Sequence, residues 1–373
     1  MPEPATARPF DGVIAVVEGS EEVVGGMRLV ERAAFTLARA GARRLLLVGN
    51  RPAGALRLPD IGITWNEGPA WLRGGASTVV VTTATTIADV ATVAQLANAD
   101  PPGAIAAPRP AVLWRADPSD LASLARQVEA GELTPPVGIP SWSPSPEGLV
   151  LHVDAAHDGP KAEDALYARL GRSGDGWFTR LVDRRFSRAL TRMLLPTGVS
   201  PNQVTIASIA IGIAGGCCFA RGTPTGAMVG ALLFLFSTIV DGCDGEIARL
   251  TFRESPFGAR LDILGDNLVH LFLFGGIATG LYRRSGEPLI ATLGFLLVGG
   301  VLLSMATVYW CIVRRPPNAS QRALFEAFAS REFAYLLVGL TVAGRLDWFL
   351  WMSAIGTYVF ATGLWVLGRR PVV

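Results

Sequence analysis

Four aspartates, Asp241, Asp244, Asp262 and Asp266, follow directly on a long uncharged apolar run, within the stretch DGCDGEIARLTFRESPFGARLDILGD. An ionised carboxylate near bilayer depth costs on the order of 2.5 to 3.5 kcal/mol, so an acidic cluster there marks a functional site. Asp241 and Asp244 are three residues apart and Asp262 and Asp266 four apart, which puts each pair on one helix face. Pro256 and Gly258 can turn the chain between them, so that the two acidic faces confront each other. Carboxylates this close would force protonation unless cations neutralise them. Hard oxygen ligands favour magnesium or manganese, and two ions bridged by carboxylates suit phosphoryl chemistry. Gly245, Ala248 and Gly258 are small residues between the acids and leave room for a bulky ligand.

The rest of the chain must place these side chains at a membrane. Of 373 residues, 50% are hydrophobic and only 17% charged, and the mean hydropathy is +0.38. That balance describes a membrane protein carrying a soluble portion, with two domains as the first expectation. Net charge is only +2, and Lys161 is the sole lysine. Cys217, Cys218, Cys243 and Cys311 lack the CxxC pairs or histidine partners of a zinc site and read as reduced packing residues. The start, MPEPATARPFDG, has no basic stretch leading into an apolar one, so no cleavable signal is expected and the front of the chain is placed in the cytoplasm.

From about residue 10 to 170, short apolar runs such as GVIAVVEG, RRLLLVGN and STVVVTT alternate with helix-like stretches. The pattern predicts an α/β domain with a largely parallel sheet, closed by a strand at LVLHVDA after a Pro-rich loop. Residues 177–195 carry Phe178, Leu181, Val182, Phe186, Ala189, Leu190 and Met193 at helical spacing with arginines between, which predicts an amphipathic helix on the membrane surface. Six apolar spans are then expected, at 203–220, 224–248, 259–282, 288–313, 332–345 and 347–368. The fifth is shorter than the roughly 20 residues a crossing needs. Arg180, Arg184, Arg185, Arg188, Arg192, Arg249, Arg253, Arg260, Arg314, Arg315, Arg322, Arg331, Arg369 and Arg370 fall on one side of this arrangement, against Arg221, Arg283, Arg284 and Arg345 on the other. Positive charge gathers inside, so both termini and the aspartates are predicted to face the cytoplasm.

Asp241, Asp244, Gly245, Ala248, Arg249, Gly258, Asp262 and Asp266 match at every spacing the signature DxxDGxxARx8GxxxDxxxD, and the chain resembles the CDP-alcohol phosphotransferases over about residues 171–373. The segment PNQVT at 201–205 also resembles that family's first span. The resemblance implies a six-helix membrane enzyme that moves a phospho-alcohol from a CDP donor to an acceptor hydroxyl and releases CMP. It implies that Asp241, Asp244, Asp262 and Asp266 hold a two-metal centre of Mg2+ or Mn2+, with Asp266 also the general base on the acceptor. Gly245, Ala248 and Gly258 would line the cytidine and pyrophosphate pocket, Arg249 would bind donor phosphate, and Asn202 and Thr205 would lie near the nucleotide. Relatives often carry arginine after the last aspartate, where this chain has Asn267, which leaves any acceptor contact there open. A salt-bridged bundle using Arg249 and Arg260 would not need so many acids. An intramembrane prenyltransferase also uses paired aspartates and magnesium, but does not call for DG followed by AR. A membrane scaffold without activity is the remaining alternative.

The start VIAVVEGSEEVVGGMRLVERAAFTLARAGARRLLLVG resembles sugar-phosphate nucleotidyltransferases and HVDAAHDGPKAEDALYARL resembles how such domains end, so the whole resembles fused inositol-phosphate cytidylyltransferase and transferase proteins. The loop that should grip a triphosphate reads EGSEEVVGGMR, with Glu18, Glu21 and Glu22 where positive charge is wanted, and Lys161 is far away in sequence. STVVVTTATT lacks a strand-end aspartate, which leaves Asp154 as the one candidate ligand. The expectation is a domain 1–170 that no longer makes a CDP compound, joined to a membrane domain 171–373 in the inner membrane. Donor, acceptor (an inositol phosphate or a lipid), membrane lipids and a second copy of the chain are the partners implied, and no nucleic acid. Arg253, Arg260, Arg314, Arg315 and Arg331 are candidates for a phosphorylated acceptor, although the charge bias between membrane faces accounts for most of them.

Overall fold

A computed structural model describes residues 9–68, 70–73, 75, 78–100, 104–105, 113–116, 119–130, 133–135, 141–154, 158–170, 183–315, 317–328 and 333–368. The chain divides into two compact units, Met1–Arg169 with Leu250–Phe252, and Leu170–Arg249 with Arg253–Val373.

The first unit runs β1 (Phe10–Val16), β2 (Val23–Val24), β3 (Met27–Arg28), α1 (Leu29–Arg39), β4 (Ala42–Gly49), β5 (Gly62–Trp65), α2 (Ala70–Arg73), β6 (Val79–Thr83), β7 (Thr86–Ala88), α3 (Val90–Asn98), β8 (Ala104–Ile105), β9 (Leu113–Ala116), α4 (Leu121–Ala130), β10 (Ser141–Trp142), β11 (Val150–His152) and α5 (Gly159–Ala168). Among the described residues the main sheet has the order β10-β8-β9-β6-β1-β4-β5. Pairings of β1 with β4 and β6, and of β4 with β5, are parallel, whereas β9 runs antiparallel to β6 and β8. The central strands are continuous apolar runs because both sheet faces are covered: Ile14, Leu45 and Val80 lie in one core, Val13, Leu46 and Val81 in the other. The strand expected at LVLHVDA is β11, but it pairs with β7 in a separate small sheet.

The loop expected to resemble a triphosphate grip folds as the β2–β3 hairpin. Gly25 and Gly26 take positive φ angles of 59° and 75° at its turn, which glycine adopts without strain. Glu163 accepts from the Gly25 amide at 3.0 Å. At the end of β6, Thr83 and Thr86 share a hydroxyl hydrogen bond of 2.8 Å. Asp154 is exposed, and Lys161 pairs with Asp158 at 3.3 Å.

The second unit comprises α6 (Arg184–Leu194), α7 (Pro201–Phe219), α8 (Pro224–Leu250), α9 (Pro256–Ser285), α10 (Pro288–Val308) continued by a π-helical turn at Tyr309–Val313, α11 (Ala319–Phe328), α12 (Phe333–Val342) and α13 (Leu346–Gly368). Among the described residues, five helices, α7, α8, α9, α10 with its continuation, and α13, are long and apolar enough to cross a membrane. The span expected at 332–345 is the 10-residue α12, which at about 1.5 Å per residue covers only about half of a ~30 Å hydrocarbon core. Local chemistry sets the starts of α7 and α9. Ser200 and Gln203 form a reciprocal capping box ahead of Pro201, and Ser255 caps α9 through the Gly258 amide at 3.0 Å, with Pro256 at the first helical position. Helices α7 and α9 then approach backbone to backbone: a Cβ at Gly216 would lie 2.5 Å from the Phe272 carbonyl oxygen, the close packing that small residues permit between membrane helices.

Helix α6 occupies the C-terminal part of the amphipathic segment expected at 177–195; Phe178, Arg180, Leu181 and Val182 lie outside the described residues, as do Arg331, Arg369 and Arg370. Its inner face is polar, with Ser187 and Thr191 buried, while Phe186 and Met193 are 61% and 73% exposed. Four cysteines are free; Cys243 is buried, Cys218 and Cys311 are partly buried, and Cys217 is exposed rather than packed.

Candidate metal centre and adjoining cavity

Helix α8 carries Asp241 and Asp244 on one face near its C-terminal end, and α9 brings Asp262 two turns after its cap. Carboxylate oxygens of Asp241, Asp244 and Asp262 all lie within 4.8 Å of one another. Three hard oxygen donors at that spacing fit a divalent cation such as Mg2+ or Mn2+. Asp244 is buried, and its Oδ2 accepts a hydrogen bond from the Thr205 hydroxyl of α7. Three of the four carboxylates expected to converge thus form the close group. Asp266, one turn beyond Asp262, is exposed and stands outside this close group, lining an adjoining cavity instead.

The other signature residues surround the group. Gly258 sits against Asn202, whose Oδ1 would be 2.9 Å from a Cβ there. Gly245 lies beneath the Arg249 guanidinium, with a Cβ at 245 falling 3.1 Å from Nη1. The small residue thus makes room for the arginine. Ala248 is half-buried, and its carbonyl accepts from Arg253 at 2.9 Å as α8 ends.

The cavity, about 150 Å³, opens beside Asp241 and Asp266 and is lined with Ser208, Ser237, Thr238, His270 and several phenylalanines. His270 stacks on Phe274 at 5.7 Å between centroids and meets Phe333 at the same distance. The serines went unmarked in sequence because isolated hydroxyls in an apolar helix carry no spacing signal. Glu246 was missed as well. It lies inside the signature but off the acidic face, and it is fully buried.

Residues 198–368 match the family model for CDP-alcohol phosphatidyltransferase. A CDP-diacylglycerol--glycerol-3-phosphate 3-phosphatidyltransferase from Rickettsia bellii is 41% identical over 173 residues, 46% of this chain and 89% of that protein. The chain belongs to the CDP-alcohol phosphatidyltransferase family. Also similar is a bifunctional IPC transferase and DIPP synthase from Archaeoglobus fulgidus, 31% identical over 209 residues, 55% of this chain and 41% of the relative. The chain thus spans less than half the length of that relative. Among solved structures, Mycobacterium tuberculosis phosphatidylinositol phosphate synthase with CDP-DAG bound covers 51% of this chain and all of its own, at 18% identity and a TM-score of 0.37.

Proposed function

We propose that the chain transfers a phospho-alcohol group from a CDP-alcohol to an acceptor hydroxyl and releases CMP, in phospholipid or inositol-phospholipid synthesis. The convergence of Asp241, Asp244 and Asp262 within the family signature carries this reading. A divalent metal bound there supplies charge neutralisation for the donor pyrophosphate and the departing CMP. Asp241, Asp244 and Asp262 would hold it, with Thr205 orienting Asp244. Asp266, facing the cavity, takes the proton of the acceptor hydroxyl as attack proceeds. Arg249 binds donor phosphate through its planar fork. Asn202 and Thr205, with the small Gly245, Ala248 and Gly258, admit the nucleotide.

The acceptor enters the cavity. Ser208 Oγ donates to Thr205 O at 2.8 Å and Ser237 Oγ to Phe234 O at 2.7 Å. Their protons are committed to their own helices, so their oxygens meet a ligand as acceptors and favour one rich in hydroxyl groups.

In this reading α12 serves as a sixth, short span, tilted or sunk between its neighbours, and both termini face the cytoplasm at the inner membrane. Helix α6 lies on the surface with Phe186 and Met193 turned toward lipid. The β2–β3 hairpin and the Thr83–Thr86 pair support an N-terminal unit of nucleotidyltransferase type that has lost its own catalysis. The protein works as a homodimer.

The test is CMP release by purified protein in lipid nanodiscs, with a CDP-diacylglycerol and soluble CDP-alcohols as donors and polyol phosphates or lipids as acceptors, products being identified by mass. Metal-dependent CMP release is expected. Release of inorganic diphosphate from a prenyl donor, or no turnover with any donor, would replace the reading with a prenyltransferase or a scaffold.

A further inference from the structure

Glu246 stands two residues after Asp244 on α8, turned about 200° from it at the helical pitch. It faces away from the three aspartates, and its solvent exposure is 0%. Its carboxylate meets α6. Arg184 Nη1 donates to Oε1 at 3.1 Å and Ser187 Oγ to the same oxygen at 2.8 Å, while Thr191 Oγ1 donates to Oε2 at 2.8 Å. Positions 184, 187 and 191 step by three and four, so they form one stripe along α6. Beside that stripe, Leu190 and Leu194 pack with Val240, Cys243 and Ile247 of α8.

A desolvated carboxylate is tolerated only where its lone pairs find donors, so this seam has a single register. Rolling α8, or sliding α6 by one residue, would strip Glu246 of its partners while burying its charge. The same two turns of α8 carry Asp241 and Asp244 on the opposite side.

We propose that Glu246 is a positioning residue, which fixes the roll of the signature helix against α6 and so holds Asp241 and Asp244 where they can share a cation with Asp262. The proposal rests on the metal reading above. Its rival is a packing contact whose loss loosens the bundle without moving the carboxylates.

Mn2+ titration of the full chain in nanodiscs, read by electron paramagnetic resonance and paired with thermal unfolding, separates the two. Glu246→Ala is expected to weaken Mn2+ binding about 10-fold or more and Glu246→Gln by about 3-fold, scaled from the known effects of groups that orient metal ligands. Ser187→Ala with Thr191→Ala should match Glu246→Gln. Leu297→Ala, in a separate core of α10, supplies a destabilised control that should leave Mn2+ affinity unchanged. Wild-type affinity in both Glu246 variants would overturn the proposal, as would a loss in Leu297→Ala equal to theirs at equal loss of stability. Should Glu246→Ala not fold, Glu246→Gln and the double variant decide by the same readout. Absence of Mn2+ binding in the wild type itself would instead strike the metal reading, and the positioning role with it.

Discussion

The Thr205 hydroxyl of α7 donates to Asp244 Oδ2 of α8, and both side chains are buried. Asp244 belongs to the close carboxylate group, so the hydroxyl fixes the orientation of one of its three carboxylates. Groups of this kind are worth about 10- to 100-fold in metal affinity. Thr205→Val, which keeps the shape and removes the donor, should lower Mn2+ affinity by about 10-fold, and Thr205→Ser should restore most of it. Unchanged Mn2+ titrations in the valine variant would show that Asp244 needs no such support.

Separation of Asp266 from the other three aspartates divides their expected phenotypes. Asp262→Asn removes one of three grouped donors and should abolish both Mn2+ binding and CMP release. Asp266→Asn should keep Mn2+ binding and lose turnover by about 10²- to 10⁴-fold, the range typical of removing a general base. A loss of Mn2+ in Asp266→Asn as complete as in Asp262→Asn would make Asp266 a metal ligand in place of a base.

Much of this site could be read from residue types because its logic is helical periodicity. Asp241 and Asp244, and Asp262 and Asp266, announce their faces through spacings of three and four, and Pro256 marks where α9 begins. Periodicity places a residue around its helix but does not say how far one helix slides along another. That offset decides which carboxylates come within 4.8 Å of one another, here Asp241, Asp244 and Asp262. The same limit hid Glu246, whose partners sit about 60 residues earlier. In α6 the spacing of Phe186 and Met193 was legible, yet the polar stripe of Arg184, Ser187 and Thr191 is the face turned inward.

The close approach of α7 and α9 makes Gly216 intolerant of any side chain. A Cβ there would meet the Phe272 carbonyl at 2.5 Å, and backbone inside a packed helix cannot yield as a flexible side chain does. Gly216→Val should destabilise the bundle by about 1–3 kcal/mol or more, the usual scale of overpacking. Gly275→Ala on α9, with nothing within 4 Å of its added Cβ, should leave thermal unfolding unaltered. Equal melting temperatures for the two variants would mean that the helices can separate without cost.

The cavity hydroxyls should govern the acceptor and leave the donor alone. Ser208 and Ser237 both line the space beside Asp241 and Asp266, and both spend their protons on carbonyls of their own helices. What they offer a ligand is oxygen lone pairs, complementary to hydroxyl protons. Each such hydrogen bond contributes about 0.5–1.5 kcal/mol, so Ser208→Ala with Ser237→Ala should raise the acceptor KM by about 5- to 100-fold. The donor KM and Mn2+ affinity should hold steady, because the proposed nucleotide contacts, Arg249 and the glycines, do not line this cavity. Initial-rate measurements varying one substrate at a time would check this; a rise confined to the donor KM would place the donor, rather than the acceptor, in the cavity.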